Sequence, residues 1–306
     1  MAGPTFLVAG AARSGTTALI ESLRLHPDVF VTRPKEPHYF AFHGQGPAFR
    51  GPGDEEWVNR VAVTDPDAYL GLFAEAGGHA ARGEGSVTTL YYAERAVEEI
   101  RRVNPDMKIV VLLREPVDRA FSSYVYLRLR GVEDAPDFRT GLARESERMA
   151  AGWQHMWHYR AVSRYADDLR TLREGLGEDQ VRVWFYDDLQ ADFAGVQSEV
   201  VDFLCLPPLP PGAPALPRVN ASGRARSETV QRGVRWATRH QGVRSVVKRI
   251  IPFGRREQLR SALLRRDTVA PDLAAELEPE FRDDLIEVAR MVAGRRPAWL
   301  PREARP

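Results

Sequence analysis

Residues 109–113 read Ile-Val-Val-Leu-Leu, an apolar run with no polar interruption. A strand carries such a run only when both of its faces are covered, as in the middle of a parallel sheet packed between helices. The run ends at Arg114, and Pro116 opens a helix that reads to about Arg130. Shorter β-rich or apolar segments at 5–9, 29–31 and 181–186 read as further strands. Helical patterns lie at 17–25, 67–75, 91–103, 159–174 and 197–204, and an acidic helix is expected over 271–292. Strands alternating with helices imply a single α/β domain over 1–306, with a central parallel sheet flanked by helices.

Composition narrows the class. The 306 residues hold 43 Lys+Arg against 42 Asp+Glu, a net charge of +1, which argues against a general nucleic-acid binder. The single cysteine, Cys205, can form neither an intrachain disulfide nor a thiolate cluster, so a reducing, cytoplasmic location is expected. No apolar run reaches the roughly 18–20 residues of a membrane span, and the first ten residues have no secretory pattern, so membrane association is not expected. Segment 207–217 is Pro-rich, and 233–266 carries nine arginines against one carboxylate, Glu257. Segment 207–270 therefore reads as linker and lid, and 271–306 as C-terminal helix and tail. The arginines fit a solvated helical face or lid, a basic wall that attracts an acidic acceptor, or an interfacial helix. Oligomeric state has no signature.

Gly10-Ala11-Ala12-Arg13-Ser14-Gly15-Thr16-Thr17 sits between the first strand and the first helix. Amides of a glycine-containing turn and a helix N-terminus converge on an anion, and Thr16 and Thr17 add hydroxyls. A nucleotide triphosphatase would place Lys where Thr16 stands, and its metal-holding Asp would end a hydrophobic strand. Here the cation is Arg13, and the best strand ends in Arg114. The expected ligand is an anion that comes without a metal. Arg114 offers a planar fork to phosphate, and Ser122, two helical turns on, presents a hydroxyl toward a similar side.

Together these residues resemble the sulfotransferase family that uses 3′-phosphoadenosine 5′-phosphosulfate (PAPS), closest to its carbohydrate-type and bacterial branch. Gly10–Leu19 in the turn, Lys35-Glu36-Pro37-His38-Tyr39-Phe40, Arg114 through Tyr124, Phe185-Tyr186-Asp187-Asp188-Leu189 and Trp299 in the C-terminal tail carry the likeness. It implies a P-loop NTPase-like sulfotransferase fold with a C-terminal helical lid. By position, Arg13, Ser14, Gly15, Thr16 and Thr17 would hold the 5′-phosphosulfate; Arg114 and Ser122, with Gly223 and Arg224 from a later loop, would hold the 3′-phosphate; Tyr186 would complete the cofactor site. Gly85 stands where some glycan sulfotransferases have Lys, and Lys35 would replace that charge.

The resemblance also implies sulfuryl transfer to a hydroxyl, less readily an amine, of a small molecule, natural product or glycan. In-line transfer asks for a base near the acceptor and cations near the leaving phosphate. Glu36 takes the base position, His38 is its competitor, and Arg13 with Lys35 would stabilise developing charge. The cluster Trp153, His155, Trp157, His158 and Tyr159 reads equally as an acceptor-pocket wall or as core; a metal shared by His155 and His158 lacks a third ligand. Asp187 and Asp188 read as caps of the following turn. A P-loop nucleotide or small-molecule kinase and a non-catalytic protein that binds adenosine 3′,5′-bisphosphate (PAP) remain the alternatives.

Overall fold

The computed structural model describes residues 3–209, 267–292, 294 and 296–301, together with the backbone of 224–225 and 264–265. Expectations placed on Gly223, on the side chain of Arg224 and on most of 233–266 lie outside the described residues. Five parallel strands form the main sheet: β1 (Phe6–Gly10), β2 (Val29–Val31), β3 (Ala81–Glu84), β4 (Lys108–Leu113) and β5 (Val181–Phe185), in the order β2-β3-β1-β4-β5. Successive residues of β4 point into different cores. Ile109, Val111 and Leu113 join one cluster with Leu7 and Phe185, whereas Val110 and Leu112 join another with Phe6, Val8 and Trp184. The uninterrupted apolar run is thereby accounted for: both faces of the strand are covered.

The helices that provide this cover follow in chain order. They are α1 (Thr16–Leu23), α2 (Tyr39–Phe42), α3 (Pro66–Gly71), α4 (Thr88–Tyr91), α5 (Ala93–Val103), α6 (Pro116–Arg130), α7 (Phe138–Ala143), α8 (Glu145–Ala150), α9 (Ala166–Leu176), α10 (Tyr186–Ala191) and α11 (Phe193–Phe203). From β1 the chain runs to β2 and β3 on one side of it, and from β3 it crosses over to β4 and β5 on the other side. The carboxyl ends of β1 and β4, at Gly10 and Leu113, therefore flank the switch in strand order where open α/β sheets bind ligands.

Three segments depart from the sequence reading. Strand β3 is Ala-Arg-Gly-Glu and has no apolar signature. Gly83 is needed there because a Cβ would stand 2.5 Å from the Phe6 carbonyl oxygen. The helix expected over 159–174 begins only at Ala166. Its first part is diverted because Glu145 accepts the amides of Arg160 and Ala161, while Asp284 accepts those of Tyr165 and Ala166. The acidic helix over 271–292 is broken into Pro271–Leu277 and Arg282–Met291 by a 3-10 turn, Glu278–Phe281, that contains Pro279. The last of these helices packs on α9. Trp299 stands edge-on to Phe185 at 5.5 Å and donates to Asp187 Oδ2 at 3.0 Å. Asp187 and Asp188 thus lie in the first turn of α10, and Phe185 is its N-cap residue, so they are not the caps expected.

Candidate active site

The turn after β1 brings backbone and cation to one place. Gly15 is the N-cap of α1 at φ 91°, and no side chain caps that helix. The amides of its first turn are therefore available to an anion. A Cβ at Gly15 would meet Leu189 Cδ2 at 2.7 Å and Tyr186 at 3.2 Å, so Gly15 also lets α10 approach. Ser14 is fully buried with its hydroxyl unpartnered. Arg13 adopts φ 73°, and His38 adopts φ 58°. Both are L residues in the left-handed region, and such strain gathers at functional sites.

Arg114, at the end of β4, donates from Nη1 to the Arg13 carbonyl at 3.3 Å, lies 4.7 Å over the Tyr186 ring and faces Asp118 at 3.6 Å. Its Nε is buried without a partner. Ser122 Oγ accepts from Arg13 Nε at 3.3 Å. Arg13, Arg114, Ser122 and Tyr186 therefore converge as the sequence implied, and Asp118 leaves part of the Arg114 fork open.

A cavity of about 600 Å³ opens on the other side of Arg13, with Thr16 and Thr17 on the same wall as Arg13 and with Lys35, Glu36 and His38 also lining it. Lys35 Nζ donates to Glu36 Oε1, and their side chains are 20% and 28% exposed. The Glu36 carboxylate stays partly exposed on the cavity wall beside the Lys35 ammonium. His38 is only 6% exposed; its amide donates to Ser86 Oγ at 2.9 Å, and Nδ1 lies 3.1 Å from Thr88 Oγ1. Burial depresses the His38 pKa, opposed by Glu36 and assisted by Lys35, so the ring is neutral near pH 7.

Beneath this pair lies Glu84, which sequence reasoning did not select. It is fully buried: Oε2 accepts the Ser86 amide at 2.6 Å, and Oε1 has no partner. Burial pushes its pKa up to about 7, against the Ser86 hydrogen bonds and with a smaller push from Glu36. Gly85 does not line the cavity. Its Cβ direction ends 2.7 Å from Ile20 Cγ1, so a close approach to α1 occupies the place expected for a cation.

The aromatic cluster divides. Gln154, His155 and Met156 line the cavity, while Trp157 and Tyr159 are core. His155 is buried, with Nδ1 unpartnered, and burial holds it neutral. His158 faces the Tyr91 hydroxyl at 2.9 Å and the Trp153 carbonyl at 2.9 Å. The His158 ring is committed to these two partners, and no group of three metal-ligating side chains occurs among the described residues. Trp57, Tyr126 and Arg130 also line the cavity. The last two follow Ser122 at i+4 and i+8 on α6, a spacing that would have placed them on its face.

The sequence profile of the sulfotransferase family matches residues 4–211, which include the turn, Lys35 through His38, Arg114, Ser122 and Tyr186. The chain belongs to the sulfotransferase family. Among its relatives, human (Homo sapiens) heparan sulfate glucosamine 3-O-sulfotransferase 6 is 31% identical over 138 residues, 44% of this chain and 34% of the other. Carbohydrate sulfotransferase 15 of Mus musculus is 27% identical over 151 residues, 40% of this chain and 27% of the other. This family member thus spans less than half the length of the curated relatives it matches. A crystal structure of a sulfotransferase from Alicyclobacillus acidocaldarius superposes with a TM-score of 0.74 at 29% identity, covering 98% of this chain and 99% of that one. No helix among the described residues of the family member is long and apolar enough to cross a membrane.

Proposed function

We propose that the protein transfers a sulfuryl group from PAPS to a hydroxyl of a glycan or small molecule, with Glu36 as general base. The observation that carries this reading is one cavity bounded by Arg13, Thr16 and Thr17 on one side and by the Lys35–Glu36 pair on another. The donor fits the residues present: the buried, unpartnered Ser14 hydroxyl and Arg114 Nε are the orphans an anion would satisfy, and Gly15 leaves the cradle clear. Bound there, PAPS supplies an activated sulfuryl group on a phosphate leaving group.

In this reading Arg13, Ser14, Gly15, Thr16 and Thr17 hold the 5′ end, and Arg114 and Ser122 hold the 3′-phosphate beside Tyr186. Gly223 and Arg224 are assigned to that phosphate too; the strand Arg224–Ala225 lies beside α6. Glu36 accepts the acceptor proton at a carboxylate oxygen, Lys35 orients that carboxylate, and Arg13 opposes charge growing on the leaving oxygen. His38 is neutral but buried behind them, so it positions rather than abstracts. The likeness to heparan sulfate and carbohydrate sulfotransferases favours a glycan hydroxyl. Segment 207–270 serves as linker and lid and 271–306 as C-terminal helix and tail of one domain over 1–306, and the single Cys205 fits a cytoplasmic setting.

Glu36→Gln tests the assignment. Turnover with labelled donor across sugars, phenols and alcohols should fall about 10²-fold or more, while PAP binds as tightly as in the wild type. Near-normal turnover would move the base to His38. Turnover that requires magnesium and ATP would replace sulfuryl transfer by phosphoryl transfer.

A further inference from the structure

The cavity extends from Glu36 to a wall made by Trp57, Val58, Val61, Met156 and Arg130. Arg130 ends α6, eight residues after Ser122 and so about 12 Å further along the helix axis. It is removed from the anion site at Arg114 and Ser122. Its guanidinium is held in place: Cζ lies 3.8 Å from the Trp57 ring centroid and 5.2 Å from that of Tyr126, and Nη1 donates to the Tyr126 hydroxyl. Nε and Nη2 are buried and have no hydrogen-bond partner. Other arginines of the fold are matched by carboxylates: Arg148 by Glu133, Arg139 by Glu276 and Arg160 by Glu280. Among the described residues no carboxylate accepts from these two donors, although Glu56 lines the same cavity.

A guanidinium fixed by two rings, with two desolvated donors unused beside a cavity, is a receptor for a planar oxyanion. Unused buried donors are costly, and an entering carboxylate offsets that cost. The apolar side chains of the same cavity, Trp57, Val58, Val61 and Met156, suit the ring or chain that joins a carboxylate to a hydroxyl. Resting on the sulfuryl-transfer reading, we propose that Arg130 anchors a carboxylate of the acceptor, which is therefore an acidic alcohol or phenol whose hydroxyl faces Glu36. Nε and Nη2 have no accessible surface here, so the carboxylate reaches them after a shift of the side chains that cover them.

The test uses PAP-saturated protein and two matched pairs of probes in calorimetry: 4-hydroxybenzoate with its methyl ester, and glucuronate with glucose. In the wild type, one acid should bind at least tenfold more tightly than its neutral partner. The pair that shows the preference distinguishes an aromatic acid from a uronate. Arg130→Gln should cut the preference to less than threefold, Arg130→Lys should retain part of it, and Arg128→Gln, which lies off the cavity, should retain all of it. No preference in the wild type, or one that survives Arg130→Gln, overturns the proposal. PAP affinity, read in the same samples, should be equal in all four proteins. Failure of the wild type to bind PAP would instead strike the donor assignment on which the proposal rests.

Discussion

Arg13 Nε donates to Ser122 Oγ across 3.3 Å, joining the turn after β1 to the middle of α6. The Arg13 carbonyl accepts from Arg114, so the two regions expected to hold opposite ends of one nucleotide brace each other. Removing one neutral donor from a charged ligand costs about 1.5–3 kcal/mol, so Ser122→Ala should weaken PAP binding about ten- to a hundredfold. Arg114→Lys should weaken it more, because an ammonium keeps the charge but loses the fork and the stacking on Tyr186. Titration calorimetry decides; wild-type affinity in Arg114→Lys would remove the 3′-phosphate from this site.

Much of this arrangement was legible in the sequence because glycine turns, strand ends and short helical spacings are local. The turn at Gly10 through Thr17, Arg114 at the end of an apolar strand and Ser122 two turns into its helix all follow from near neighbours. Glu84 was not legible, since its burial depends on α1 and β1 closing over a strand that contains no hydrophobic run. Nor was the Trp57 wall, which reaches Arg130 through a contact 73 residues apart in the chain. The wrongly extended helix at 159–174 failed for a related reason: distant carboxylates, Glu145 and Asp284, capture the amides that helical periodicity would assign locally.

Gly15→Ala should damage both stability and binding. At φ 91° an L side chain costs about 1–2 kcal/mol, and the new Cβ would press on Leu189 and Tyr186. Relief of that strain turns the first amides of α1 away from the anion. Thermal melts should show a loss of a few degrees, and PAP affinity should fall at least tenfold. A variant that melts lower but binds PAP normally would show that these amides do not hold the nucleotide.

The wall that carries Gln154, His155 and Met156 rests on a buried ion pair. Arg148 donates to both Glu133 oxygens at 2.6 and 2.8 Å, with side-chain exposures of 3% and 0%, and Tyr159 also donates to Glu133. Glu133→Ala leaves the guanidinium between Trp153 and Trp157 with only the exposed Asp134, 3.5 Å away, as counter-charge and should cost about 2–4 kcal/mol in urea unfolding. Replacing both partners, as Glu133→Leu with Arg148→Met, should recover much of that loss. A single variant as stable as the wild type would mean that the pair contributes nothing.

Glu84 makes stability depend on pH in a direction opposite to that of a salt-bridged carboxylate. Its carboxyl titrates at about 7 in the fold against an ordinary 4.5, chiefly because burial disfavours the charge. Between those values the folded chain keeps a proton that the unfolded chain has released. The stabilisation is therefore complete below pH 4.5, declines as pH rises toward 7 and is absent above it. Glu84→Gln holds the neutral form at every pH and can still accept the Ser86 amide. The variant should thus gain on the wild type by about 3 kcal/mol at pH 8, with the gap closing toward pH 5. Asp168, raised to about 8 by burial and by Asp167 and Asp284, contributes equally to both proteins and cancels in the difference. Urea unfolding at pH 5, 6, 7 and 8 measures the gap; a gap that stays constant across this range would mean that the buried carboxyl does not titrate within it.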